Sequence, residues 1–156
     1  MTQRKKLPIG IQTFREIRIN NHYYVDKTAI ALDLIERGKY YFLSRPRRFG
    51  KSLFLDTLKE LFEGNEPLFQ GLAVHPQWDW TIKYPVLRFS FGSETFTQPQ
   101  GLVDALDTQL TQWERQFNLT PMFKHVGGRF SDLILQLHQR TGQPVVVLVD
   151  EYDKPI

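Results

Sequence analysis

The chain has 156 residues, 41% hydrophobic and 24% charged, which suits one globular domain and excludes a disordered segment. It has no cysteine, excluding disulfides and thiolate metal sites, and no apolar run near the ~20 residues that span a bilayer, so no membrane association is expected. The net charge of +3 is uneven: residues 1–60 carry 13 Lys/Arg against 6 Asp/Glu, residues 61–156 carry 7 against 11, and Arg45, Arg47, Arg48 and Lys51 fall within seven positions.

In chain order, residues 1–6 are basic, but no apolar stretch follows to make a secretory signal, and the expected location is the cytoplasm. Residues 14–25 read as a β-hairpin. Phe14, Ile17 and Ile19 lead into the turn-forming pair Asn20-Asn21, and Tyr23, Tyr24 and Val25 lead out. A helix then runs from Asp26 or Thr28 to about Arg37, with Gly38 as its stop. Residues 39–44 contain Tyr40-Tyr41-Phe42-Leu43, an aromatic-rich run that reads as a buried strand. Residues 50–63 read as a helix with Phe54, Leu58, Leu61 and Phe62 on one face.

Residues 65–84 are irregular and hold Trp78 and Trp80, which read as core packing or a lid. Residues 85–91 read as a strand. Residues 99–117 read as a helix with Leu102, Leu106, Leu110, Trp113 and Phe117 on one stripe, and residues 130–138 as another, stopped by Gly142. Residues 144–149 end in five aliphatics, Val145 to Val149, followed by Asp150. A strand without polar alternation is expected to be buried on both faces of a parallel sheet. Strands alternating with helices give an α/β class with a mainly parallel sheet flanked by helices. The expected division is a hairpin and helix over residues 1–39 and a core over residues 40–156.

Two segments carry chemistry. The first is Ser44-Arg-Pro-Arg-Arg-Phe-Gly50-Lys51-Ser52, placed after a strand and opening a helix, as a phosphate-binding loop requires. A helix start offers unpaired N–H groups and partial positive charge to a phosphate. Gly50 permits close approach of the backbone, Lys51 would reach the outer phosphates, and the Ser52 hydroxyl would ligate Mg²⁺. The general pattern has a glycine where Arg45 stands. The loop must therefore turn differently, or the tail Phe49-Gly50-Lys51-Ser52 carries the binding alone. Arg47 and Arg48 fit a phosphate contact, a neighbouring subunit, nucleic acid, or a brace between the loop and an acidic side chain. The plain alternative makes Lys51 an exposed lysine, although a cation at a helix start opposes the dipole unless an anion is bound.

The second segment is the aliphatic strand ending in Asp150-Glu151. Ligands bind at the C-terminal edge of parallel strands. There Asp150 would hold the metal and Glu151 would orient or deprotonate a water. The plain alternative is a polar loop start. The histidines His22, His75, His125 and His138 lack metal-ligand spacing, and no Gly-x-Ser-x-Gly elbow is present.

With both segments in hand, the chain resembles the AAA-ATPase-like domain family of P-loop NTPases. The likeness covers nearly the whole chain. It rests on Leu7-Pro-Ile-Gly10, Tyr23-Tyr-Val-Asp-Lys-Thr28, Arg45-Pro-Arg-Arg-Phe-Gly-Lys-Ser-Leu53, Leu68-Phe-Gln-Gly-Leu72, Tyr84-Pro-Val86 and Asp150-Glu-Tyr-Asp-Lys-Pro155. The resemblance implies a P-loop NTPase fold binding ATP and Mg²⁺, with Arg47, Arg48, Phe49, Gly50, Lys51, Ser52 and Leu53 on the nucleotide. It also implies Ser52 and Asp150 on the metal and Glu151 with Lys51 as catalytic groups. Arg45 is then a trait of this family's loop. The family often carries a C-terminal PD-(D/E)XK nuclease-like domain, through which nucleic acid would be a partner, and it continues past Asp150-Glu151. The chain is therefore expected to be an N-terminal piece of a longer ATPase, impaired in hydrolysis by itself. The rival reading is a nucleic-acid-binding or regulatory module using Arg45, Arg47 and Arg48. No base-reading motif separates ATP from GTP, and the role of Tyr24 to Thr28 lies between lining the adenine side and capping a helix through Asp26.

Overall fold

In a computed structural model, residues 4–44, 50–92 and 97–151 are described, and the chain divides into two compact units, Met1–Lys83 and Tyr84–Ile156. The class is α/β. The residue 39/40 boundary expected from sequence lies inside the first unit.

The first unit is built on three helices, α1 (Phe14–Ile19), α2 (Thr28–Arg37) and α3 (Lys51–Phe62), with a 3-10 turn at Glu66–Phe69. The expected hairpin at residues 14–25 is replaced by α1. Phe14 and Ile17, three apart, are both fully buried, while Ile19 is 65% exposed. That spacing fits a helical face and not a strand's alternation. The Asn pair ends the helix, with Asn21 in the left-handed region at φ 52°. Burial of Phe14 and Ile17 contributes roughly 1.5–3 kcal/mol each. The first amide of α1 is satisfied from α3, where Phe14 N donates to the buried Asp56 Oδ2 at 2.7 Å. Arg15 forks onto Glu60 of α3 at 3.3 and 3.0 Å. Arg18 donates to the carbonyls of Leu68 and Gln70 at 2.7 and 2.6 Å.

The core of this unit gathers Phe14, Leu61, Leu68, Phe69, Leu72 and Val74. Trp80 packs on Phe69 at 5.3 Å and donates its Nε1–H to the His75 carbonyl at 2.9 Å. Trp78 meets Phe62 edge-on at 5.6 Å. The paired tryptophans are thus core packing.

The segment Tyr24 to Thr28 is a stitch. Tyr24 lies edge-on to Phe14 at 5.2 Å, and burial pushes its phenol above the usual value, tempered by a hydrogen bond with Thr57. Asp26 Oδ1 accepts from the Thr28 amide at 2.9 Å and the Thr28 hydroxyl at 2.6 Å, while Oδ2 accepts from the Ala73 amide at 2.8 Å. The Thr28 hydroxyl in turn accepts from Val74 N at 3.2 Å. Burial disfavours the Asp26 charge, but the hydrogen bonds from Thr28 and Ala73 outweigh it, and its carboxyl sits below the usual value. Asp26 therefore fastens the start of α2 to a segment 47 residues away.

Among the described residues, the expected strand at 39–44 does not form: these residues lie outside the one sheet. Tyr40 and Phe42 are 94% and 69% exposed. Aromatic strand propensity depends on a half-buried sheet surface, which exposed residues do not have.

The second unit holds β1 (Val86–Ser90), α4 (Pro99–Gln116), α5 (Val126–Thr141) and β2 (Val146–Asp150). The two strands pair in parallel, Val86 against Val146 through Ser90 against Asp150. Leu87, Phe89 and Phe91 form a core with Leu110 of α4 and Leu133 and Leu137 of α5. Phe89 meets Trp113 and Phe130 edge-on at 4.4 and 5.3 Å. α5 begins earlier than its apolar periodicity suggests, because the His125 ring caps it, Nδ1 accepting from Gly128 N at 2.9 Å.

β2 was expected to be buried on both faces, yet Val147 and Val149 are 39% and 42% exposed. By strand alternation they share a face with Leu87 and Phe89, but the helix layer is centred on β1. Among the described residues β1 is the only strand paired with β2. No helix among the described residues is long and apolar enough to cross a membrane.

Candidate functional site

The sequence-predicted site residues fall in two groups, one in each unit. Gly50, Lys51, Ser52 and Leu53 stand at the start of α3. Gly50 takes φ 76°, a left-handed conformation that a side chain would strain. The first helical bond runs from Phe54 N to the Gly50 carbonyl at 3.0 Å. The amides of Lys51, Ser52 and Leu53 precede that bond and point beyond the helix start, where a phosphate is favoured. The first turn of α3 has no acidic side chain to occupy that position. Lys51 and Ser52 are half-buried. The Leu53 side chain packs against the core of the first unit, so its amide is what it can offer a ligand.

Beside this helix start lies a shallow apolar hollow lined by Lys27, Ile30, Leu34, Leu43, Gly50 and Phe54. Sequence reasoning had no means of finding it, since its lining comes from the start and face of α2, from Leu43 and from the start of α3. Arg45, Arg47, Arg48 and Phe49 lie outside the described residues.

The second group, Asp150 and Glu151, stands at the C-terminal end of β2. Parallel pairing brings the end of β1 alongside. Arg88 Nη2 approaches Asp150 Oδ2 at 3.3 Å, with the two side chains only 25% and 12% exposed. Phe91 N donates to the Asp150 carbonyl at 3.3 Å and carries the ladder one step further. Glu151 is held at φ 54°, a conformation costing a non-glycine residue of order 1–3 kcal/mol that collects at functional sites. Its carboxylate occupies the space where a Cβ on Gly92 would stand: such an atom would lie 1.7 Å from Glu151 Oε2. Gly92 is thus a close-approach glycine.

Arg88 and Gly92 were missed by sequence reasoning. The available signal was a lone cation inside the apolar run of β1, flanked by the buried Leu87 and Phe89.

Each unit offers oxygen donors of a kind that a divalent cation takes. No three His, Cys, Asp or Glu gather into a metal cage among the described residues. Mg²⁺ does not need one, since it takes one or two protein oxygens and fills its shell with phosphate oxygens and water. In the second unit, the Asp150 and Glu151 carboxylates are oxygen donors of that kind; in the first unit, so is the Ser52 hydroxyl.

Comparison with known proteins adds the family. The model described as "Predicted AAA-ATPase" matches residues 8–156. The chain is 58% identical over 154 residues to an "Uncharacterized protein in vnfD 5'region" of Azotobacter chroococcum mcd 1. That match covers 98% of this chain and 30% of the relative, so the chain spans under a third of the relative's length. No solved structure matches the chain.

Proposed function

The chain belongs to the predicted AAA-ATPase family, and from that premise we propose that it binds Mg-ATP and serves, in the whole protein, as the nucleotide-hydrolysing module. The observation that carries the reading is the acidic pair at the end of a parallel strand, with Glu151 at φ 54° directly after Asp150. A carboxylate carried on a strained backbone, at the edge where parallel strands present their ligands, supports a catalytic reading.

In this reading the amides of α3's first turn and the Lys51 ammonium hold the phosphates. The Ser52 hydroxyl and the Asp150 carboxylate hold Mg²⁺, which supplies charge neutralisation for the transferring phosphoryl group. Glu151 accepts a proton from, or orients, the attacking water. Arg47 and Arg48 belong to the same loop and are proposed to contact phosphate, with Phe49 completing it. The apolar hollow beside Gly50 is the proposed seat of the base, which gains by leaving water for the faces of Ile30, Leu34 and Phe54.

The test is a calorimetric titration of Mg-ATP into the wild type and Lys51→Ala, with circular dichroism as a check on folding. A charged hydrogen bond contributes about 1.5–3 kcal/mol, so Lys51→Ala should weaken binding roughly 10- to 150-fold. Equal affinity of a folded Lys51→Ala protein would remove the phosphate-loop assignment. A parallel titration of Mg-GTP reports whether the hollow selects the base.

A further inference from the structure

The mechanism above uses Asp150 but leaves its ion pair with Arg88 without a task. Asp150 retains 12% of its side-chain exposure, so its negative charge cannot rely on water and needs a partner. Arg88 supplies one at 3.3 Å from the neighbouring strand, at the register position next to Leu148. Its place is unusual for a charged residue. Leu87 and Phe89 on either side are 0% and 4% exposed and belong to the core of the unit.

We propose that Arg88 is a positioning residue that competes with the divalent cation for Asp150 and so sets the affinity of the acidic pair for metal. The proposal rests on the reading of Asp150 as a metal residue. An ion that takes the Asp150 carboxylate, directly or through water, must share it with a fixed positive charge a few ångströms away. Like charges at that separation, in a site with little water, repel far more than in bulk solvent. Arg88 therefore holds the carboxylate in place and neutralised, and only a cation already bound to nucleotide phosphates competes well for it. The pair makes metal binding depend on nucleotide.

The informative variant is Arg88→Met, which keeps the apolar stem and removes the charge; Arg88→Lys restores a charge in the same place. Mn²⁺ is titrated into each protein with and without saturating ATP, and free Mn²⁺ is read by its electron paramagnetic resonance signal. Arg88→Met should bind Mn²⁺ on the order of tenfold more tightly than the wild type in the absence of ATP, and Arg88→Lys should stay near wild type. Thermal unfolding without metal should show Arg88→Met less stable, and the added Mn²⁺ should restore more stability to it than to the wild type. A purely structural ion pair would lower stability in Arg88→Met and leave Mn²⁺ affinity unchanged or weaker, and that result overturns the proposal. A wild type that shows no ATP-dependent Mn²⁺ binding overturns the parent reading and the proposal with it. Normal wild-type binding with an indifferent Arg88→Met overturns the proposal alone.

Discussion

Arg129→Ala is expected to destabilise the second unit by about 3–5 kcal/mol. Arg129 and Glu114 are each only 9% exposed at the side chain. The guanidinium forks onto Glu114 at 3.0 and 2.7 Å, donates to the Thr111 hydroxyl oxygen at 3.0 Å and reaches Asp107. This set fastens α5 to α4. Truncating Arg129 leaves Glu114 buried with no counter-charge, and that penalty outweighs the lost packing. Asp107 is 56% exposed and remains solvated, so it adds little. For a unit of this size the melting midpoint should drop by roughly 10 °C or more. The double variant Arg129→Met/Glu114→Leu separates the causes. It should recover most of the loss, because two apolar side chains of similar volume replace a pair whose desolvation is costly. A double variant as unstable as Arg129→Ala would mean that the ion pair itself, and not the orphaned carboxylate, supplies the stability. These helices back β1, so Arg129 also holds in place the strand that carries Arg88.

The second large effect concerns chemistry. In the whole protein, Glu151→Gln should lower ATP hydrolysis by about 10²–10⁴-fold, the usual contribution of a positioned general base, while Mg-ATP affinity stays near wild type. The amide is the same size as the carboxylate and fits the same place over Gly92, so the left-handed turn at residue 151 is retained. What is lost is the proton acceptor. Steady-state phosphate release and single-turnover kinetics separate the cases. Unchanged turnover would remove Glu151 from the reaction. An equal fall in affinity would make it a binding group.

The parts of the fold legible in sequence are those where local pattern and tertiary environment agree. The stripe Leu102, Leu106, Leu110, Trp113, Phe117 gave α4 almost to its ends, and the aliphatic run gave β2 with its terminal acid pair. The misread elements depend on distant partners. Residues 14–19 look like one arm of a hairpin because Asn20-Asn21 is a good turn, but Asp56, 42 residues away, satisfies the first amide of a helix there. Gly127-Gly128 hides the start of α5, since glycine is a poor helix former, and only the cap on Gly128 from His125 reveals it.

The candidate site follows the same division. Gly50, Lys51, Ser52, Asp150 and Glu151 stand out by local chemistry. Arg88 could be noticed as a stray cation, but its partner lies 62 residues further on, and the pairing register of β1 with β2 is what brings the two together. Asp26 stood out only as one candidate helix cap; Lys27 holds the cap position without a side-chain bond, and Asp26 instead joins Thr28 to Ala73, a link the local sequence does not show.

In the proposed function the phosphate loop and the acidic pair act on one Mg-nucleotide complex. The most direct test is ATP affinity with and without Mg²⁺, measured for the wild type and for Asp150→Asn. Mg²⁺ should tighten ATP binding to the wild type, and Asp150→Asn should abolish most of this gain while leaving metal-free ATP binding intact. An ATP affinity indifferent to Mg²⁺ in the wild type, or a full Mg²⁺ effect in Asp150→Asn, would contradict it.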